Sequence, residues 1–361
     1  MKKLLVCILI VSMLFAMAAC GTAPANTPMR TVTDALGRVV ALPETVERIV
    51  PLGNAPRMIC YLGLADNVVG IEECEIASNP IQAYAYVHAD TWRTLPNCGT
   101  NSMGETAYYP EQIMLAQPDV ILTTDDAETA DDLQTKTGIP VVCVAQGTLF
   151  EEDYDRSLRI LGEVCGVSDR AEALIAYIDD TLADLAARTS AAGPTPTVLA
   201  AGATFKGSHS IDGVYTSYSV FDVLSANDAA DEIAGTSGTS GVMVDREQIL
   251  LWDPDLIFFD SGSMGLVRAD YKENPGYFEQ LQAVRTGQLY QWPNSTWHWS
   301  NVEIPLVSAY YVGALLHPDA FADVDFEAKA SEIFDLFLGQ PDFLSVLEQA
   351  GAGYGQVTLG E

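Results

Sequence analysis

The sequence predicts an α/β fold of two doubly wound lobes joined by one long backbone helix, and three observations carry that expectation. Short apolar runs alternate with helical stretches in both halves of the chain, an amphipathic stretch over 168–190 separates the two series, and one twelve-residue phrase occurs in each. With 361 residues, 48% of them hydrophobic, the chain holds enough apolar material for two cores, because domains run to roughly 100–200 residues.

The N-terminus has Lys2 and Lys3, an apolar run over 4–15, and small residues in "AMAACGT" ending at Cys20. This is the pattern of a signal peptide, 1–19, closing in a lipobox with lipidation of Cys20, followed by a polar tether over 20–30. An uncleaved anchor is the alternative, since 4–20 approaches the ~17–25 residues of a spanning helix. Both readings hold the protein outside the cytoplasm at a membrane.

The first lobe is expected over 31–150. "RIVPLG", "NVVGIE", "DVILTT" and "IPVVCVA" are continuous apolar runs between helix-like stretches such as "APRMICYLGLA" and "AETADDLQTKTG". Runs of this kind read as parallel strands buried on both faces. Linking helices are expected over 151–192. Ser168 is placed to cap the long one, and apolar residues at 171, 174, 175, 178, 182 and 185 form one helical stripe. At 1.5 Å per residue it makes a rod of roughly 35 Å, enough to cross between lobes. The second lobe, 193–361, repeats the alternation from "TVLAAGAT" to "GQLYQWP" and closes with two helices, "NVEIPLVSAYYVGALLH" and "DFEAKASEIFDLFLG".

The repeated phrase is "EQIMLAQPDVIL" from Glu111 and "EQILLWDPDLIF" from Glu247, identical at seven of twelve positions. Each glutamate is expected in the first turn of a short helix, where the dipole favours a carboxylate, and "PD" is expected to break the helix before a buried strand. Capping alone can explain each glutamate taken singly.

Composition narrows the partners. The formal net charge is −31, from 18 Lys and Arg against 49 Asp and Glu, a balance that nucleic acids and anionic lipid surfaces repel. Cys60, Cys74, Cys98, Cys143 and Cys165 follow Cys7 and Cys20, odd in number and without CxxC spacing. Buried thiols are expected of them, with a Cys74–Cys98 bridge the alternative. No HExxH, GxSxG or P-loop is present, and "GTSGTSG" at 235–241 lacks the lysine of a phosphate loop. A metal-dependent hydrolase is the enzyme alternative that these absences argue against.

The phrases "TVTDALGRVVALPETVERIVPLGNAPRMICYLGLADNVVGI", "PEQIMLAQPDVIL", "DREQILLWDPDLIFF" and "NVEIPLVSAYYVGALLHPDAF", in that order, resemble the substrate-binding proteins of ABC importers for iron chelates, haem and cobalamin. The resemblance implies two α/β lobes bridged by a long helix. It also implies a monomer working with a permease and its ATPase subunits, needing no cofactor, and holding a metal chelate in the cleft. Molybdate or tungstate is the other ligand class the resemblance leaves open. It further implies that Glu111 and Glu247 dock the permease, one from each lobe.

A ligand between such lobes meets loops at the carboxyl ends of strands. The candidates in those loops are Asn54 and Arg57, then Trp92 and Arg93, Tyr108 and Tyr109, Lys206 and His209, Tyr215 and Tyr218, and the run Trp297, His298, Trp299. The aromatics suit a flat macrocycle or bulky chelate. Arg57, following a turn at a helix start, suits an anion, with an internal ion pair as its alternative. His88, His209 and His298 are candidates for a metal contact, and His317, ending an apolar helix, is expected to be structural.

Overall fold

The computed structural model describes residues 29–77, 79–102, 105–147, 149–190, 193, 195–205, 207–233, 241–293 and 301–360. An antiparallel hairpin, β1 (Met29–Thr33) and β2 (Val39–Pro43), opens the first lobe. That lobe holds a parallel sheet in the order β3 (Ile49–Pro51), β7 (Val120–Thr123), β8 (Val141–Cys143). A second sheet joins β4 (Ile71–Glu72), β5 (Asn97–Ser102) and β6 (Glu105–Tyr108). Every residue of β3, β7 and β8 is buried, as the unbroken apolar runs require.

Among the described residues this half holds the helices α1 (Ala55–Tyr61), α2 (Ala83–Trp92), α3 (Pro110–Ala116) and α4 (Ala127–Thr137). Then come α5 (Glu152–Cys165) and the long α6 (Ser168–Ser190). The buried face of α6 is Ala171, Leu174, Ile175, Ile178, Thr181 and Leu185, one stripe at helical spacing. Thr181 sits in that stripe because its hydroxyl donates to the Tyr177 carbonyl, 2.7 Å away.

The second lobe is a mixed sheet. Its centre is parallel, β9 (Thr197–Ala201), β13 (Leu256–Asp260) and β14 (Leu289–Trp292). Antiparallel β10 (Gly213–Val214) and β12 (Val242–Met243) extend it on one side and β15 (Gly355–Gln356) on the other, while β11 (Asn227–Asp228) runs beside the start of β9. The helices here are α7 (Ser219–Val223), α8 (Arg246–Trp252), α9 (Met264–Glu273), α10 (Pro275–Phe278), α11 (Gln282–Thr286), α12 (Glu303–Leu316), α13 (Phe326–Leu338) and α14 (Phe343–Gln349).

Strand alternation sorts the core. Ile49, Val120 and Leu122 of the first sheet, and Val198, Ala200 and Phe258 of the second, share one cluster with Leu174 and Ile178 of α6 and with Ile304, Ile333 and Phe334 of the closing helices. Their in-between neighbours face the other way: Val50 and Ile121 pack with Ile113 of α3, and Leu199, Ile257 and Phe259 with Ile249 of α8. One continuous core therefore runs through both lobes, and each repeat helix packs on the opposite face of its own sheet. The helix α13 packs on α1 and α2 as well as on α12, and Phe337 meets the Tyr61 ring edge-on at 5.1 Å. Arg170 of α6 donates to the carbonyls of Tyr61, at 3.1 Å, and of Leu336, and Arg188 near its far end pairs with Asp323 at 2.6 Å.

Candidate functional site

Leaving β3, the chain turns at Gly53 with φ +62°, where a Cβ would lie 2.4 Å from Thr124 Oγ1, so only glycine fits. The turn aims the Gly53 N–H at Glu72 Oε2, 2.6 Å away, and the Asn54 N–H at Thr124 Oγ1, 3.3 Å away. At the end of β7, Thr123 Oγ1 donates to Asp125 Oδ2 at 2.6 Å, and the Tyr108 hydroxyl donates to the same oxygen. Glu75 accepts from Tyr84 at 2.7 Å and Gln82 at 3.2 Å. The end of β4, the turn after it and the loop after β7 thus carry three carboxylates, Glu72, Glu75 and Asp125. Burial, then the charge of Glu75, push the Glu72 carboxyl up to about 8 against the Gly53 N–H. Burial pushes Glu75 up to about 7. Glu72 Oε1 is buried without a partner.

In the second lobe, Asp260 closes β13 fully buried. Its Oδ2 accepts from Tyr215 and Thr204 hydroxyls, both at 3.0 Å, and its Oδ1 from the Gly262 N–H at 2.8 Å. Burial raises it to about 6, and those three donors work the other way.

The lobes meet beside these strand ends. Arg57 is fully buried in α1, donates to Asn54 Oδ1 and, through Nε at 3.0 Å, to Asn301 Oδ1, and stacks over Tyr84 at 4.6 Å. Asn301 Nδ2 donates to the Ile81 carbonyl at 3.3 Å. One turn along α1, Tyr61 donates to Glu303 and accepts the Val302 N–H at 3.2 Å. These bonds tie the loop after β3 to the start of α12.

Several sequence expectations need correction. Arg57 does not offer an open cation; its guanidinium is engaged by asparagine oxygens and a tyrosine ring inside the junction. The stretch 88–93, read as a cleft loop, is the end of helix α2, whose segment contains neither Gly nor Pro to stop it. Trp92 is fully buried there against His88, at 5.5 Å between rings, and Arg93 is an exposed residue paired with Asp90 at 2.7 Å. The stretch 105–109 is mostly strand β6, leaving Tyr108 and Tyr109 half-buried beside the repeat helix. Tyr215 and Tyr218 stack on each other at 5.0 Å, and Tyr218 packs on Trp292, so both rings belong to the core, while the Tyr215 hydroxyl reaches Asp260 at the end of β13. His209 lies on Phe205 at 4.2 Å, with Nε2 2.9 Å from that residue's carbonyl.

Other expectations lie elsewhere. Lys206, Trp297, His298, Trp299 and the N-terminal segment with Cys20 are outside the described residues. The five downstream cysteines are free thiols and His317 is buried at the end of α12. Among the described residues no group of three His, Cys, Asp or Glu is arranged to hold a metal, and no helix is long and apolar enough to cross a membrane. Glu72, Glu75, Asp125, Asp260 and Glu303 went unnoticed in the sequence. A signal existed for two of them, since Asp125 and Asp260 close or directly follow an apolar strand run.

The repeat has the same local architecture in both lobes. Glu111 and Glu247 are exposed first-turn acids of α3 and α8. Each helix ends on a left-handed residue before proline, Gln117 at φ 52° and Asp253 at φ 37°. The following aspartates then clamp the neighbouring strand: Asp119 accepts the N–H of Glu47 and Arg48 at 2.9 Å, and Asp255 that of Thr197 at 2.8 Å.

A family model described as "Periplasmic binding protein" matches residues 52–296. A periplasmic solute-binding protein from Veillonella parvula is similar, with TM-score 0.68 and 23% identity over 86% of this chain and 93% of that one. The molybdate-bound periplasmic protein MolA of Haemophilus influenzae gives 0.64 and 19% over 86% and 98%. CeuE of Helicobacter pylori in complex with nickel and histidine gives 0.59 and 17% over 89% and 99%. No curated protein matches the sequence.

Proposed function

Because the chain belongs to the periplasmic binding protein family, we propose that it captures a metal chelate, an iron–siderophore or haem ahead of cobalamin, between its lobes and delivers it to an ABC permease. Proteins of this family are extracytoplasmic solute-binding proteins serving ABC importers, not enzymes. Solved relatives of the same fold hold molybdate and a nickel–histidine complex, both metal-bearing. The observation that favours a chelate over a bare oxoanion is the withdrawal of Arg57, a cation just past the turn after β3 whose guanidinium is spent on Asn54 and Asn301. A chelate supplies its own donors and apolar faces, and suits strand ends with tyrosine and carboxylate groups, Tyr108, Tyr109 and Asp125. Trp297, His298 and Trp299 complete the ligand surface in this reading, Cys20 carries the lipid anchor, and Glu111 and Glu247 dock the permease.

Mass spectrometry with metal analysis of the protein taken from its native membrane tests the ligand. An organic chelate in equal proportion to its metal is expected; a bare oxoanion, or a solute without metal, overturns the assignment. Alanine at Trp297, His298 and Trp299 is expected to weaken haem or ferric-siderophore binding while leaving the melting temperature of the empty protein unchanged. Cys20→Ser is expected to release the protein from the membrane.

A further inference from the structure

Seven positions are identical between the two copies of the repeated phrase, and the fold uses four of them. Ile113 and Ile249 anchor their helices, Ile121 and Ile257 sit inside the sheets, Pro118 and Pro254 are buried, and Asp119 and Asp255 clamp strands. Three identities stay outside the core: the glutamates, Gln112 with Gln248, and Leu115 with Leu251.

The leucines are the unexpected members. Leu115 is 70% exposed and Leu251 79%, the two most exposed leucines among the described residues. Each stands four residues after its glutamate, on the same helix face one turn further on. A single exposed leucine is ordinary. Two at matched registers, each beside an exposed acid and on opposite lobes, serve nothing in the fold, since glutamine or lysine has about the same helix propensity.

We infer that Leu115 and Leu251 are apolar anchors for the importer's membrane subunits, each seated in a hollow beside the cation that receives the neighbouring glutamate. This rests on the reading of Glu111 and Glu247 as docking residues. The partner is therefore a symmetric or pseudo-symmetric pair of subunits presenting, twice, a cation and an apolar hollow roughly 5–6 Å apart. Charge complementarity favours it, because a chain of net charge −31 with an acid at each site meets a basic surface. The two side chains divide the work: the glutamates steer and orient the encounter and weaken with salt, whereas leucine burial holds the complex at any ionic strength.

The test is binding of the full-length protein in detergent to the permease–ATPase complex in nanodiscs, at low and at high salt. Two double variants are compared, Leu115→Gln with Leu251→Gln, and Glu111→Gln with Glu247→Gln. The leucine pair is expected to dock about tenfold more weakly or worse for each leucine, at both salt levels and with an unchanged melting temperature. The glutamate pair is expected to lose most at low salt. If the leucine pair docks like the parent while the glutamate pair is weakened, the anchors are overturned and the docking reading stands. If neither pair changes docking, both fall. A melting temperature lowered by the leucine changes assigns them to the fold and overturns the proposal.

Discussion

Glu72 and Asp260 are each the last residue of a strand, one per lobe, and both are fully buried. They differ in the hydrogen bonds that reach them. Asp260 receives three donors on its two oxygens and is held at about 6, whereas Glu72 receives one donor, keeps an unpartnered oxygen, faces Glu75 and rises to about 8. Burial raises both carboxyls, and it raises Asp260 less because three donors stabilise the charged form there. Depth alone does not decide the charge of a buried acid; the donors arranged around it do.

The largest test of this contrast is truncation. Asp260→Ala removes the common acceptor of the Tyr215 hydroxyl, the Thr204 hydroxyl and the Gly262 N–H, and about 3–5 kcal/mol of stability should be lost in chemical denaturation. Glu72→Ala strands one donor and should cost about 1–2 kcal/mol on the same scale. Equal losses would break the comparison.

A pH series sharpens it. The Glu72 carboxyl binds its proton more tightly in the folded state, about 8 against an ordinary 4.5. Its stabilisation is therefore complete below pH 4.5 and is lost as pH rises through that window to about 8, because the native state there holds more protons than the unfolded one. Thermal melts should show the loss, on the order of a few kcal/mol in all. Glu72→Gln should flatten the slope. A slope of opposite sign, or one untouched by the substitution, would remove Glu72 as its source.

Much of this fold was legible and much of the site was not, for physical reasons. The long helix shows itself through a stripe at 171, 174, 175 and 178 that must be buried, and the repeat shows itself because Ile113 and Ile249 recur at a fixed distance from Pro118 and Pro254. Aromatic identity carries no such address: Trp92, Tyr215 and Tyr218 suit a core as well as a cleft, and the fold put them in the core. Arg57 was recognisable as unusual, but its partner Asn301 is 244 residues away, and no local pattern reports so distant a bond. The mixed polar and apolar order of 83–92 has no amphipathic stripe, which hid helix α2.

The junction offers a test of intermediate size. Because one core and the Arg57–Asn301 bond join the lobes, they should move little when ligand binds, and scattering profiles with and without haem should nearly superpose. A double-mutant cycle of Arg57→Met and Asn301→Ala should give a coupling of about 1–2 kcal/mol in unfolding. Independent effects would mean that the bond does not join the lobes energetically.

The smallest effect on the fold is expected at the repeat glutamates, where the second comparison between lobes lies. Glu111 and Glu247 are exposed, and their internal role is limited to the helix dipole, about 0.3–1 kcal/mol each. Reversing both charges should therefore lower the melting temperature only slightly and leave haem or ferric-siderophore affinity unchanged, because neither residue is at a strand's carboxyl end. Transport has a different sensitivity. If each acid meets a cation of the permease, reversal sets like charges against each other in two places and leaves both partners' charges unpaired at an interface that must exclude water. Cells carrying the double variant should then accumulate no iron from those sources, with each single variant in between. Normal accumulation in the double variant would show that the two copies share a helix start and nothing more.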